Sequence, residues 1–157
     1  MYYAGIGSRR TPTDYLRLMT RIAQRLSELK FILRSGGAEG ADQAFEAGAK
    51  YKEIYTTANV EARALVMAEE YHPAWDRLGN YAKLLHARNC YQVLGKDLQT
   101  PAKFVICWTA DGTERTTTIS TGGTGQAIRI AVANNIPVFN LNNPNALNKL
   151  GELVRKP

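Results

Sequence analysis

Short apolar runs, each followed by glycine and then by a segment of helical periodicity, recur along this chain and constrain its fold most. The first unit is Tyr2 to Ile6, then Gly7, then apolar residues that recur every three or four positions as far as Lys30. Lys103 to Trp108 is apolar on both faces, as a buried parallel strand should be. The alternation predicts an α/β, Rossmann-like three-layer fold, with a mostly parallel sheet of about five strands and helices on both faces.

Turn and capping residues predict where the elements begin and end. Thr11 is expected to cap the first helix, with Pro12 in its first position and Asp14 completing a capping box. The range 51–76 stays open, because its short strand and helix could instead form an insertion that shapes a ligand mouth. The other predicted strands are 31–33, 53–56 and 137–141, and the other predicted helices are 41–49, 59–70, 78–94, 126–134 and one starting at Asn143.

The composition favours one domain, 1–157, and argues against a membrane helix, a disulfide and a metal site. The chain has 157 residues, of which 45% are hydrophobic, enough for a packed core. Its longest apolar stretches are far shorter than the roughly 20 residues of a membrane helix, and its start lacks the order of a signal peptide, so we expect a cytoplasmic protein without membrane contact. Cys90 and Cys107 have no metal-ligand spacing, which favours buried free thiols over a disulfide or a zinc site. We expect neither a metal nor a cofactor.

Glycine marks three of the predicted strand-to-helix junctions, and a parallel sheet brings such junctions to one edge. Glycine lets backbone N–H groups approach an anion closely, and the following helix N-terminus adds a partial positive charge. One such loop alone is better explained as a tight turn or helix cap, whereas three at one edge favour a phosphate site. Neither GxGxxG nor GxxxxGK[ST] occurs, so no standard NAD or P-loop site is supported. The glycines are Gly5, Gly7, Gly36, Gly37, Gly40, Gly122, Gly123 and Gly125.

Polar side chains beside these loops are candidate ligand contacts. Trp108 ends its strand where the ring could stack on a base or fill the core. Asp42 and Glu46 are candidate catalytic carboxylates, although Asp42 would also stabilise a helix N-terminus and Glu46 would also suit a solvated face. Arg9 would equally suit a solvated turn. The side chains able to donate to phosphate are Ser8, Arg9, Ser35, Arg88, Asn89, Thr121 and Thr124.

Four motifs, YAGIGSR, LRSGGAEGAD, HARN and TGGTGQA, occur in this order. Together they resemble the SLOG superfamily, which includes DNA-processing protein A, the lonely-guy phosphoribohydrolases and sensor domains for nucleotide signals. The resemblance covers nearly the whole chain and implies a Rossmann-like sheet, a ligand under the GGTG loop, contact through Arg88, and homo-oligomers (dimers or larger). It identifies the phosphate loop as Gly122, Gly123, Thr124, Gly125 and Gln126.

The resemblance also identifies a missing catalytic group. Lonely-guy enzymes carry PGGxGTxxEE, whereas Ile128 and Arg129 occupy the two glutamate positions here. Cleavage of a glycosidic bond passes through an oxocarbenium-like state that a carboxylate would stabilise, and neither residue supplies that charge. The phosphate loop is therefore expected to bind without the usual catalytic carboxylate.

Three functions are compatible with these features. The first is capture or sensing of a phosphate-bearing nucleotide derivative, a nucleotide signal or ADP-ribose type metabolite, without cleavage. The alternative is an N-glycosidase (phosphoribohydrolase) acting on nucleoside 5′-monophosphates, with Asp42 or Glu46 as carboxylate and Arg88 on the phosphate. Single-stranded DNA binding is the third. Nucleic acid is the less favoured partner, because the net charge of +6 is scattered and the aromatic residues do not interleave with clustered Lys or Arg.

Overall fold

The computed structural model describes residues 1–155, which form an all-parallel sheet with helices on both faces. The strands are β1 (Tyr2–Gly5), β2 (Ile32–Ser35), β3 (Lys52–Ile54), β4 (Val105–Cys107) and β5 (Val138–Asn140). The helices are α1 (Thr13–Glu28), α2 (Ala41–Gly48), α3 (Ala62–Tyr71), α4 (Asn80–Leu94), α5 (Thr124–Ala133) and α6 (Ala146–Arg155). The strand order is β3-β2-β1-β4-β5, and every pair is parallel. The predicted three-layer α/β fold is confirmed.

Alternate strand residues supply two apolar cores, one on each face of the sheet. Tyr3 and Ile106 pack in the core that contains α1, α2 and α6, whereas Ala4 and Val105 pack in the core that contains α3, α4 and α5. This division follows from the two-residue period of a strand whose two faces are both covered. Cys90 and Cys107 are buried and unbridged, as the spacing indicated.

Several predicted boundaries are wrong by one to three residues, and local hydrogen bonds account for two of them. The Thr11 hydroxyl donates to the carbonyl oxygen of Ser8 at 2.6 Å and does not cap α1, which begins at Thr13. Asn59 closes a single 3₁₀ turn by accepting from the Thr56 N–H at 3.0 Å, so that α3 begins only at Ala62. Likewise α6 begins at 146, not 143, and α5 begins at 124, not 126.

The range 51–76, left open by the sequence, belongs to the sheet and to one helical layer. β3 pairs with β2 in parallel register, with Leu33 opposite Lys52. Ala64 and Ala68 of α3 are fully buried against the same core as α4 and α5. This range therefore does not form a separate insertion.

Hydrogen bonds to Asp111 stabilise the long loop between β4 and α5. Its carboxylate accepts from the hydroxyls of Thr109 at 2.7 Å and Thr121 at 2.6 Å. These bonds fix the loop directly before Gly122 and so position the start of α5. No helix within residues 1–155 is long and apolar enough to cross a membrane.

Candidate ligand-binding site

A cleft of about 360 Å³, called the first cleft here, opens at the carboxyl ends of the strands. Loops that follow three different strands meet α4 there. The backbone after β1 contributes Gly7 and Ser8, the loop before α2 contributes Ala38, and the start of α5 contributes Gly123 and Thr124. The other lining side chains are Ile6, Arg9, Asp42, Tyr81, Ala82, Leu85, His86, Arg88 and Asn89.

A second cleft of about 470 Å³ adjoins the first. It lies between the loop 36–39, the 3₁₀ turn after β3 and the first turns of α4. The two clefts share Arg9, Ala38, Tyr81, Leu85 and Arg88. The two clefts are therefore separated only by these side chains and the Ala38 backbone.

Glu46 stabilises the glycine loop between β2 and α2. Its Oε2 accepts from the Ser35 hydroxyl at 2.5 Å and from the Gly37 N–H at 3.0 Å. Glu46 and Ser35 line neither cleft. Their role in this structure is to set the path of the loop. Gly37 and Gly40 have φ values of +73° and +88°, which favour glycine at these turns.

Asp42 lies in the first turn of α2 and lines the first cleft although only 3% of its surface is exposed. Its Oδ2 accepts from the Ala38 N–H at 3.2 Å. Burial raises the pKa of the carboxyl to about 6, against the opposing effects of the Arg88 charge and the Ala38 hydrogen bond. Asp42 is thus a carboxylic acid that changes charge in mildly acidic solution.

Arg88 stands between the two clefts. Its Nη1 donates to the Gly36 carbonyl oxygen at 3.1 Å, while its buried Nε has no hydrogen-bond partner within residues 1–155. Gly36 lets the arginine lie close to the loop, because a Cβ there would be 2.7 Å from Arg88 Nε and 2.9 Å from Asp42 Oδ2. Arg9 is exposed at the rim shared by both clefts.

His86, the first residue of the HARN motif, lines the first cleft. Its ring lies 4.7 Å from that of His72, between centroids. Burial, with smaller contributions from His72, Arg129 and Arg88, lowers the pKa of His86 to about 4. The imidazole is therefore neutral at physiological pH.

The start of α5 contributes to the first cleft, but the rest of the GGTGQ segment does not. Gln126 is fully buried and its Nε2 donates to the Ala68 carbonyl oxygen at 2.9 Å. Ile128 lies in the core, and the Arg129 guanidinium donates to the Tyr71 carbonyl oxygen at 2.8 Å and to the Thr117 hydroxyl at 3.0 Å. The residues at the two lonely-guy glutamate positions therefore line neither cleft.

Trp108 lies in the core. It is 8% exposed, and its ring packs against Tyr15 at 5.9 Å between centroids. Of the two roles left open by the sequence, the structure gives it the core role. Gly36 and Gly37 line the second cleft, whereas Gly40, Thr121, Gly122 and Gly125 line neither.

Helix α4 contributes side chains that the glycine pattern does not identify. Tyr81, Ala82, Leu85 and His86 line the first cleft on the same helix face as Arg88. In the sequence, these positions are three, four or seven residues apart, and residues at this spacing lie on one face of a helix. Extending the HARN motif backwards by one or two turns would have found Tyr81, Ala82 and Leu85, and His86 is the first residue of the motif itself.

Within residues 1–155, no group of three or more His, Cys, Asp or Glu side chains is placed to hold a metal ion. No family model, curated protein sequence or solved structure matches this chain, so its resemblance to the SLOG superfamily stays a prediction.

Proposed function

We propose that this chain binds a phosphate-bearing nucleotide derivative in the first cleft and holds it intact. The observation that carries the proposal is one cleft that combines glycine backbone from two loops with two arginines. The N–H groups of Gly123 and Thr124 stand at the start of α5, where a helix has no carbonyl partners of its own for them. An anion there meets both these N–H groups and the positive end of the helix.

The cations of the cleft support the same ligand class. Arg9 is exposed at the rim, and Arg88 lines both clefts, with its Nη1 held by the Gly36 carbonyl oxygen. Guanidinium groups suit phosphate because they donate two parallel hydrogen bonds.

Binding without cleavage is favoured because α5 supplies no carboxylate to the cleft. Ile128 is buried in the core, and Arg129 is engaged with Tyr71, Thr117 and Gln126. Neither side chain can stabilise positive charge on a sugar in the cleft. Capture or sensing of the nucleotide is thus the function that this geometry supports best.

Asp42 supports the alternative, hydrolysis of the N-glycosidic bond of a nucleoside 5′-monophosphate. It lines the cleft beside Arg88, and its raised pKa is typical of groups that exchange protons in active sites. Water would add to C1′ of the sugar while the bond to the base breaks, and the products would be free base and ribose 5-phosphate. Glu46 is the weaker candidate, because its carboxylate already accepts hydrogen bonds from the Ser35 hydroxyl and the Gly37 N–H.

Calorimetric titration with nucleoside 5′-monophosphates tests the proposal, followed by chromatography of each mixture. We expect binding, recovery of intact ligand, and a loss of affinity of roughly tenfold in Arg9→Ala, since hydrogen bonds to charged groups contribute about 1.5 kcal/mol or more. Arg17→Ala, an exposed arginine on α1 outside both clefts, is the control. Equal affinity of the two variants, or no binding by any nucleotide, would contradict the proposal. Release of free base that Asp42→Asn abolishes would establish the alternative.

A further inference from the structure

We propose that the second cleft is a nucleobase subsite, with Tyr81 as its stacking surface. The base and the phosphate of one ligand would then lie in adjoining clefts. This inference rests on the proposed function and adds the part of the ligand that the glycine loops do not contact.

Tyr81 is placed where a planar group can reach it. It lies in the first turn of α4, its surface is 63% exposed, and it lines both clefts. Leu85 lies one turn further along the same face and also lines both clefts. An exposed aromatic ring beside an aliphatic side chain suits the flat, weakly polar face of a base, and base stacking on aromatic residues tolerates any base.

The polar groups of the second cleft differ from those of the first. Glu39, Gln43 and Thr57 line it, and their side chains make no hydrogen bond to another group within residues 1–155. Together they provide an amide, a hydroxyl and a carboxylate, hence both donors and acceptors. The edges of nucleobases carry the complementary mixture.

The two clefts also differ in what they offer to an anion. Each contains one carboxylate, Asp42 in the first cleft and Glu39 in the second, but only the first is lined by the start of α5, whose N–H groups can donate to an anion. Arg9 and Arg88 line the shared wall, where the sugar-phosphate part of a ligand would pass from one cleft to the other. The chemistry thus orders the ligand as phosphate, sugar and base along the two clefts.

Titration with ribose 5-phosphate and with AMP, GMP, CMP and UMP, against wild type and Tyr81→Ala, tests this assignment. We expect at least one nucleotide to bind tenfold or more tightly than ribose 5-phosphate. Tyr81→Ala should weaken that nucleotide by about 5- to 150-fold, the range of base stacking on an aromatic side chain, and leave ribose 5-phosphate within twofold. Tyr81→Phe should retain the affinity, and Gln43→Ala should change the order of preference among the four bases.

Tyr51→Ala is the matched control, because Tyr51 is an aromatic residue outside both clefts. Ribose 5-phosphate that binds as tightly as every nucleotide would overturn the assignment while leaving the phosphate site intact. An equal loss of both ligand classes in Tyr81→Ala would overturn it as well. If neither class binds to wild type, the proposed function fails and the base subsite fails with it.

Discussion

Asp42 and His86 line the same cleft, and burial moves their pKa values in opposite directions. Folded Asp42 keeps its proton up to about pH 6, whereas an unfolded aspartate loses it near pH 4. The contribution of Asp42 to the free energy of unfolding therefore decreases as the pH rises from about 4 to about 6. Folded His86 stays neutral down to about pH 4, whereas an unfolded histidine is protonated below about pH 6.5. Its contribution therefore rises with pH over that range. The two effects oppose each other in the wild type.

Substitution separates these two contributions. Between pH 4 and 6.5 we expect the free energy of unfolding of Asp42→Asn to rise relative to wild type by about 2 kcal/mol, because one pKa unit corresponds to about 1.4 kcal/mol. His86→Gln should change in the opposite direction, falling relative to wild type as pH rises. Urea denaturation at four pH values measures both. If wild type and Asp42→Asn change in parallel, the carboxyl does not titrate as its burial requires.

Substitution of Gly36 tests whether Arg88 binds the ligand. In Gly36→Ala the new Cβ would displace the guanidinium, which lies 2.7 Å away at Nε. The Cβ would also lie 2.9 Å from Oδ2 of the buried Asp42, so both side chains must shift, and we expect the free energy of unfolding to fall by about 1–3 kcal/mol. Affinity for the bound nucleotide should fall about tenfold because Arg88 leaves its place.

Gly79→Ala is the control for calorimetry on this variant, since no atom lies within 4 Å of a Cβ at that position. It should bind like wild type. Unchanged affinity in Gly36→Ala would show that the position of Arg88 does not matter to the ligand.

The start of α5 shows which glycine the fold needs. Gly122 has a φ of +80°, whereas Gly123 has helical angles of −62° and −30° and no atom within 4 Å of an added Cβ. Gly123→Ala should therefore preserve stability or raise it by up to about 1 kcal/mol, by restricting the unfolded chain. We expect it to weaken nucleotide binding, because the methyl group would hinder approach of the anion to the N–H groups of α5.

Gly122→Ala is the matched comparison. It should lower the free energy of unfolding by about 1 kcal/mol, since an alanine rarely adopts a positive φ. Chemical denaturation and calorimetry on both variants distinguish the two roles. A Gly123→Ala protein that binds as tightly as wild type would remove α5 from the phosphate site.

The sequence predicts the elements of this fold better than their ends or their facing side chains. Lys103 to Trp108 is recognisable because a strand buried on both faces is continuously apolar, whereas Thr11 looks like a cap and instead bonds to Ser8. The edge of the sheet that carries the site follows from the parallel order alone. Tyr81 could not be assigned to it from glycine loops, because its place depends on how α4 packs across the sheet.

The first cleft joins parts of the molecule that are distant in the chain. Its walls come from the loop after β1, the start of α2, the face of α4 and the start of α5, on both sides of the sheet. The expected homo-oligomer stays a prediction, which sedimentation over a range of protein concentrations would test. The cleft exists only when all of these segments are folded together. Global unfolding must therefore release a ligand bound there.

Binding should therefore stabilise the entire fold against heat. A ligand at one hundred times its Kd adds about 2.7 kcal/mol to the free energy of unfolding, and each kcal/mol raises the Tm of a domain of this size by roughly 2–4 °C. We expect the best-binding nucleotide to raise Tm by about 5–10 °C, with the rise growing with the logarithm of its concentration. Arg9→Ala should show a smaller rise at the same concentration, whereas Arg17→Ala should match wild type. A Tm that does not respond to a nucleotide shown by calorimetry to bind would mean that the unfolded chain binds it as well as the folded one, which a cleft formed by the whole sheet edge excludes.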